Sequence, residues 1–199
     1  LSKRNSLKYN QIIDAAVTVI AENGYHNAQV SKIAKEAGVA DGTIYLYFKN
    51  KEDLLVSLFE VKMGQFVDTI TTELERLPDV EDQLRALVRL HFQQLNADPE
   101  LAVVTQLELR QSNSALRSQI NEVLKGYLQV VEEMIVTGKQ EQVFSDVINE
   151  KLGRQMVFGT LDEVVTNWVM KDCRYDLMEL VEPVHELLLN GFKGNQSER

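Results

Sequence analysis

Gly42, Thr43, Tyr45, Leu46, Tyr47 and Lys49 fall within one short run of the sequence. Their types suit contact with a polyanion. With Ile44 as the core-facing position and about 100° per residue, Phe48 also turns inward and Tyr47 lies at the edge. Gly42, Leu46 and Lys49 then turn outward, with Thr43 and Tyr45 on the flanks. Threonine and tyrosine hydroxyls and a lysine ammonium reach phosphates, and a glycine lets a backbone come close. Leu46 in that set is either an incidental surface leucine or an apolar contact for a thymine methyl. Tyr45 and Tyr47 serve either as packed aromatics or as phosphate contacts. Ser31 and Lys32, in the segment just before, complete the candidate DNA-contacting residues.

The elements needed to present this face are also written in the sequence. Residues 30–48 read as two short helices joined at Gly38, the spacing of a helix-turn-helix. The crossing of the helices needs a small side chain, which Ala34 supplies. The turn needs a residue tolerant of positive φ, which Gly38 supplies. Ile33, Ala37, Val39 and Ile44 give the apolar inner faces. The charge distribution agrees. The whole chain of 199 residues carries −9, but residues 1–52 carry +2 and residues 53–199 carry −11. A mildly basic head on an acidic body approaches phosphates best as one of two heads in a dimer.

A second group of residues lies in the body. Gln106, Arg110, Asn113 and Arg117 place two guanidinium groups and two amides at one helix junction. They would hold a phosphorylated ligand, or else form ordinary ion pairs with Glu108 or Glu122. Phe66, Phe92, Met134, Met156, Phe158 and Trp168 are large and apolar; they would line an elongated tunnel, or else simply fill the core. Gly159 sits inside a helical stretch, where glycine costs about 1 kcal/mol against alanine. Close packing or room for a ligand would offset it.

Helical periodicity runs through the chain and no stretch alternates convincingly. Ile12, Ile13, Ala16, Val17 and Ile20 form the face of a first helix that Asn23-Gly24 stops. After the two short helices, a fourth is expected from about residue 50 to 77, before Pro78. Further helices are expected over 79–96, 99–111, 114–137 (closed by Gly138) and 146–171, with a last one ending near Gly191 and a polar tail over 193–199. Leu177, Leu180, Val181, Val184, Leu187, Leu188 and Phe192 make an apolar stripe suited to a dimer interface. Cys173 is the one cysteine, so no internal disulfide forms and a reducing cytoplasm is expected. No apolar run approaches membrane-span length and the N-terminus is polar, so neither a membrane partner nor a signal peptide is expected.

These residues carry a resemblance. Ile12-Ile-Asp-Ala-Ala16, Asn23-Gly-Tyr25, Ile33-Ala34, Ala37-Gly-Val39, Gly42-Thr-Ile-Tyr-Leu-Tyr-Phe48 and Lys51-Glu-Asp-Leu54 resemble the head of the TetR family of transcriptional regulators. Gln29 and Ala40 stand where that family usually has threonine or serine. In the body, the stretch 104–113, Leu124-Lys-Gly-Tyr127, Arg154-Gln-Met-Val-Phe-Gly-Thr160, Asp162-Glu163 and Trp168-Val169 resemble the branch that represses fatty-acid-degradation genes. The resemblance implies an all-α protein of about nine helices. A three-helix helix-turn-helix DNA-binding domain would occupy residues 1–50, and a helical effector-binding and dimerisation domain residues 51–199. It also implies a homodimer on a pseudo-palindromic double-stranded operator and a long-chain acyl-CoA effector, with the acyl chain in the apolar tunnel and the CoA phosphates near the basic residues. No cofactor or metal is implied.

Other classes fit less well. The three histidines, His26, His91 and His185, are far apart, and no H-E-x-x-H, P-loop, G-x-S-x-G or GxGxxG occurs, so no catalytic residue and no enzyme is indicated. A helical lipid carrier would not need the outward set on the head. A regulator of the same fold sensing a drug or another apolar ligand, as in efflux control, is the main alternative.

Overall fold

The computed structural model describes residues 7–193; of the polar tail, residues 194–199 lie outside the described residues. Nine α-helices and one short 3-10 helix occur among the described residues, with no named strand. The chain divides into two compact units. Of the described residues, one holds 7–64 and 99–123, the other 65–98 and 124–193. The head expected over residues 1–50 therefore sits inside a unit that also takes in later segments.

The first unit contains α1 (Leu7–Asn23), α2 (Val30–Glu36), α3 (Asp41–Tyr47), the first part of α4 (Lys51–Leu74), α6 (Pro99–Glu108) and the start of α7 (Ser114–Gln140). The apolar face of α1 is buried at Ile12, Ile13, Ala16, Val17 and Ile20, and both α2 and α6 pack on α1. Gly24 ends α1 with φ +71°. Gly38 turns the chain between α2 and α3 with φ +66°, and Val39 N–H donates to the Ala34 carbonyl at 2.9 Å across that turn. Ala34 is fully buried at the crossing. Asn50 opens α4: its Oδ1 accepts from Asp53 N–H at 2.8 Å, and Asp53 Oδ2 accepts from Lys49 N–H at 2.8 Å. That exchange satisfies donors a helix start otherwise leaves open.

The second unit contains the rest of α4, α5 (Val80–Ala97), the rest of α7, α8 (Glu150–Val169), the 3-10 turn Leu177–Leu180 and α9 (Val181–Phe192). Helix α5 packs against α8, α9 and the 3-10 turn. Several element ends differ from the sequence reading, among them the end of α4 at Leu74 rather than near Leu77. Helix α6 stops at Glu108 rather than near Gln111. Helix α8 starts at Glu150 rather than Asp146, where Asn149 Oδ1 accepts from Leu152 N–H at 3.0 Å. Helix α7 runs past Gly138 to Gln140. Gly138 is not a stop: its carbonyl accepts from Val143 N–H and Phe144 N–H, and the Phe144 ring occupies the space a side chain at 138 would need.

The stripe expected to form the dimer is mostly the chain's own core. Leu177, Val181, Val184, Leu188 and Phe192 are buried, because α9 lays that face on α5 and α8. Leu180 is half-buried, and Leu187 is 73% exposed. Gly159 has no atom within 4 Å of where its Cβ would stand, so close packing within the chain does not explain it.

A methyl at position 138 has nowhere to go, since Phe144 is itself buried and packs on Phe192 with ring centroids 5.6 Å apart. Gly138→Ala is expected to destabilise the protein by about 1–3 kcal/mol, despite alanine's better helix propensity. Thermal or urea unfolding checks this; an unchanged or raised stability would contradict the packing role.

Candidate functional site

The outward face of α3 is as the helical geometry requires. Ile44 and Phe48 are buried, and Phe48 stacks on Tyr9 with ring centroids 5.0 Å apart. Gly42, Tyr45, Leu46 and Lys49 are exposed, with Tyr45 at 57% and Leu46 at 64%. Thr43 and Tyr47 are half-buried, and Tyr47 leans toward Tyr9 at 6.2 Å. Ser31 and Lys32 are exposed on α2, where Lys32 Nζ donates to Asn23 Oδ1 at 2.9 Å. Gln29 and Ala40, at the N-caps of α2 and α3, make no side-chain cap. An exposed leucine and tyrosine between a glycine and a lysine form a surface able to meet both phosphates and a base methyl.

Behind that face, the first unit holds a buried carboxylate. Glu108, the last residue of α6, accepts from Tyr25 N–H at 2.8 Å and from the Gln111 side-chain amide. Lys51, at the start of α4, donates to the His26 carbonyl at 2.9 Å and places its ammonium 4.7 Å from the Tyr25 ring centre. Burial draws the Lys51 pKa below the usual lysine range, with Glu108 opposing. Burial, then Glu52 and Glu108, push the Tyr25 hydroxyl up to about 12. Tyr25, His26, Asn50, Lys51, Glu52, Gln111, Asn113 and Leu116 line a cavity of about 520 Å³.

The four polar candidates from the α6–α7 junction are all in this unit, in different roles. Gln106 is buried on α6. Asn113 caps α7, its Oδ1 accepting from Ala115 N–H at 2.9 Å and Leu116 N–H at 3.2 Å. Arg117 is exposed and donates to the carbonyls of Gln111 at 2.8 Å and Ser112 at 3.3 Å. Arg110 is exposed. Glu108, expected as a possible ion-pair partner for the arginines, serves the Tyr25 backbone instead.

The apolar candidates lie in the second unit and do not all meet. Phe66 of α4 stacks on Tyr127 of α7 at 5.7 Å, and Phe158 of α8 meets the same ring edge-on at 5.9 Å. His91 of α5 lies 5.7 Å from Phe66 and 6.1 Å from Phe92, and its Nδ1 is 3.0 Å from Tyr127 Oη. Met134 is buried on α7. Trp168 is also buried, but its indole N–H donates to the Tyr175 carbonyl at 2.7 Å, which ties down the end of α8. Met156 faces outward at 52% exposure and is not with the others. It lines an open groove of about 590 Å³ with Gly159, Thr160, Val164 and Leu180. His91, Tyr127 and Asp162 are buried polar members that were not among the candidate site residues; periodicity places His91 on the inner face of its helix with Leu84, Leu87 and Val88, but gives it no role.

Burial brings the His91 pKa down to about 4, so the ring is neutral near pH 7. Burial and then Asp162 raise the Tyr127 hydroxyl well above its ordinary value, so it keeps its proton.

With the head, its outward face and the aromatic cluster described, comparison with known proteins places the chain. Residues 12–58 match the model of the bacterial regulatory proteins of the tetR family, and residues 59–191 match the C-terminal region of YsiA-like proteins. The chain belongs to the tetR family of bacterial regulators, and it is a transcription regulator rather than an enzyme. It is 55% identical to the fatty acid metabolism regulator protein of Bacillus subtilis (strain 168), over 95% of this chain and 97% of that one. It is similar to the fatty acid degradation regulator FadR of Bacillus halodurans, with TM-score 0.90 and 65% identity over 93% of this chain and all of that one. FadR of Bacillus subtilis, solved in complex with stearoyl-CoA, superposes with TM-score 0.90 and 55% identity, over 92% of this chain and 99% of that one. Among the described residues no helix is long and apolar enough to cross a membrane.

A histidine that is neutral when folded but free to take up a proton when unfolded makes stability fall with acid. The contribution is intact above the unfolded value of 6.5 and is lost as pH falls toward 4. The loss over that interval is about 3 kcal/mol. His91→Gln is expected to remove that part of the acid sensitivity. Urea unfolding at pH 7 and pH 4 checks this; equal pH dependence in both proteins would contradict it.

Proposed function

We propose that this protein is a DNA-binding transcriptional repressor of fatty-acid-degradation genes, released from its operator by long-chain acyl-CoA. The observation that carries the reading is 55% identity along almost the whole chain to a fatty acid metabolism regulator, body as well as head. Heads are shared across this family, so the likeness of the body is what speaks for the effector. The effector is a regulatory ligand; no cofactor or metal takes part.

On the DNA side, Gly42, Thr43, Tyr45, Tyr47 and Lys49 contact phosphates or approach the backbone, with Ser31 and Lys32 beside them. Leu46 meets a thymine methyl in the major groove. Two heads of a homodimer read successive half-sites of a pseudo-palindromic operator, about 34–36 Å apart. The dimer forms through α8 and α9, on the side chains the chain leaves uncovered: Leu152, Met156 and Leu187 are all more than half exposed. The open groove beside Gly159 belongs to the same face. Acting on DNA, the protein works in the cytoplasm.

On the ligand side, Phe66, Phe92, Phe158 and Met134, gathered around Tyr127 and His91, are the candidates for the acyl chain. Arg110 and Arg117 are the candidates for anionic groups of CoA, helped by Gln106 and Asn113. Trp168 supports this region by fixing the end of α8. Met156, on the outer face, belongs with the dimer reading rather than with the ligand. Ligand binding is read out through α4, which starts beside the head at Lys51 and continues to Leu74.

The test is a gel shift with DNA from upstream of fatty-acid-degradation genes. A specific complex is expected, dispersed by stearoyl-CoA and unaffected by free CoA. Lys49→Ala is expected to weaken binding to all sequences alike and to lower the salt slope by about 1 per head. Absence of a specific complex at any salt, or a complex indifferent to acyl-CoA, would overturn the reading. Dispersal by an unrelated apolar drug in place of acyl-CoA would support the efflux alternative.

A further inference from the structure

The second unit buries a polar atom that its own fold leaves unsatisfied. His91 is only 6% exposed, and its Nε2 is buried with no partner among the described residues. Its other nitrogen faces Tyr127 Oη at 3.0 Å. Aromatic rings close around the imidazole from α4, α5 and α7, and Phe158 of α8 packs on Tyr127. The fold accounts for Nδ1, because a leucine or phenylalanine at 91 would strand the buried Tyr127 hydroxyl, but it gives Nε2 no partner.

We propose that His91 Nε2 is the hydrogen-bond donor to the thioester carbonyl of bound acyl-CoA. The proposal rests on the acyl-CoA reading above and adds the group that recognises the thioester. A neutral imidazole offers one donor and one acceptor, and either tautomer is open to it. A carbonyl oxygen only accepts, so its arrival at Nε2 selects the Nε2–H tautomer. Tyr127 Oη then donates to Nδ1, and both nitrogens are satisfied. Burial keeps the ring neutral, and Tyr127 keeps its hydroxyl proton. The same cage disfavours a free fatty acid. A carboxylate would bring a charge into an apolar cluster that already holds buried Asp162 near Tyr127. The aromatic rings suit the alkyl chain on either side of the one polar contact.

Calorimetric titration with palmitoyl-CoA and with hexadecyl-CoA, its thioether analogue lacking the carbonyl, tests this. Wild-type protein is expected to bind the thioester about tenfold more tightly than the thioether, the order expected for one buried hydrogen bond. His91→Leu is expected to bind the two alike, at about the wild-type thioether affinity. His91→Gln, whose amide carries N–H donors, is expected to recover part of the preference. Equal binding of both ligands by the wild-type protein would overturn the proposal without any variant having to fold, and so would a preference that survives in His91→Leu. In either case acyl-CoA still binds and the reading of the effector stands. Failure of the wild-type protein to bind either ligand would overturn both.

Discussion

The backbone N–H of Tyr25 is buried two residues past the end of α1, and the carboxylate of Glu108 accepts it. Much of the first unit depends on this bond. The chain must turn between α1 and α2 to present the recognition helix, and the turn leaves a donor that no helix can satisfy. Glu108 supplies the acceptor from a position 83 residues away, with its second oxygen held by Gln111. Lys51 adds the matching cation, covering the Tyr25 ring and holding the His26 carbonyl. The carboxylate therefore joins the base of the head to the end of α6, and Lys51 joins the start of α4 to the same turn. Removing either partner would strand a buried charge or a buried N–H, which is costly in a way that losing a surface ion pair is not. A head fixed in this way cannot reorient without the α6–α7 junction, and that junction carries Gln106, Arg110, Asn113 and Arg117.

The head was legible in the sequence because its constraints are local. Positive φ at Gly38, a small residue at Ala34 and the 3.6-residue period from Ile44 each act within a few residues, and together they fixed which side chains point out. Periodicity read the body only as helices, and its effector class came from the resemblance of its residues to the fatty-acid branch. Periodicity marks a face as apolar but does not say what covers it. Most of the stripe on α9 is covered by α5 and α8 of the same chain; of its members only Leu187 is exposed, and Leu152 and Met156 on α8 are the other exposed apolar side chains of these two helices. Gly138 looked like a helix stop because the ring that needs its space, Phe144, arrives only after the chain has turned back. Met156 looked like a tunnel residue because its type suits one; its register on α8 turns it outward. The links of Tyr25 with Glu108 and of His91 with Tyr127 span 83 and 36 residues, and no local pattern announces them.

The two units divide the work along chemical lines. The first holds the outward face of α3 and a buried carboxylate hydrogen-bonded to the turn after α1. The second is an aromatic, largely apolar interior that buries His91 Nε2 and both ring nitrogens of His185 without hydrogen-bond partners among the described residues. A regulator responsive to acyl-CoA needs both, since its operator is a polyanion and its effector is mostly hydrocarbon. The positive balance is confined to the head: residues 1–52 carry +2 and residues 53–199 carry −11.

The central claim is that acyl-CoA and operator bind this protein antagonistically, and its most direct test is the coupling between them. Stearoyl-CoA affinity measured with and without saturating operator, and operator affinity with and without saturating stearoyl-CoA, must give one common factor by linkage. The account predicts a factor of at least about ten, each ligand weakening the other. A factor of one, with both ligands bound at once and neither affected, would contradict it.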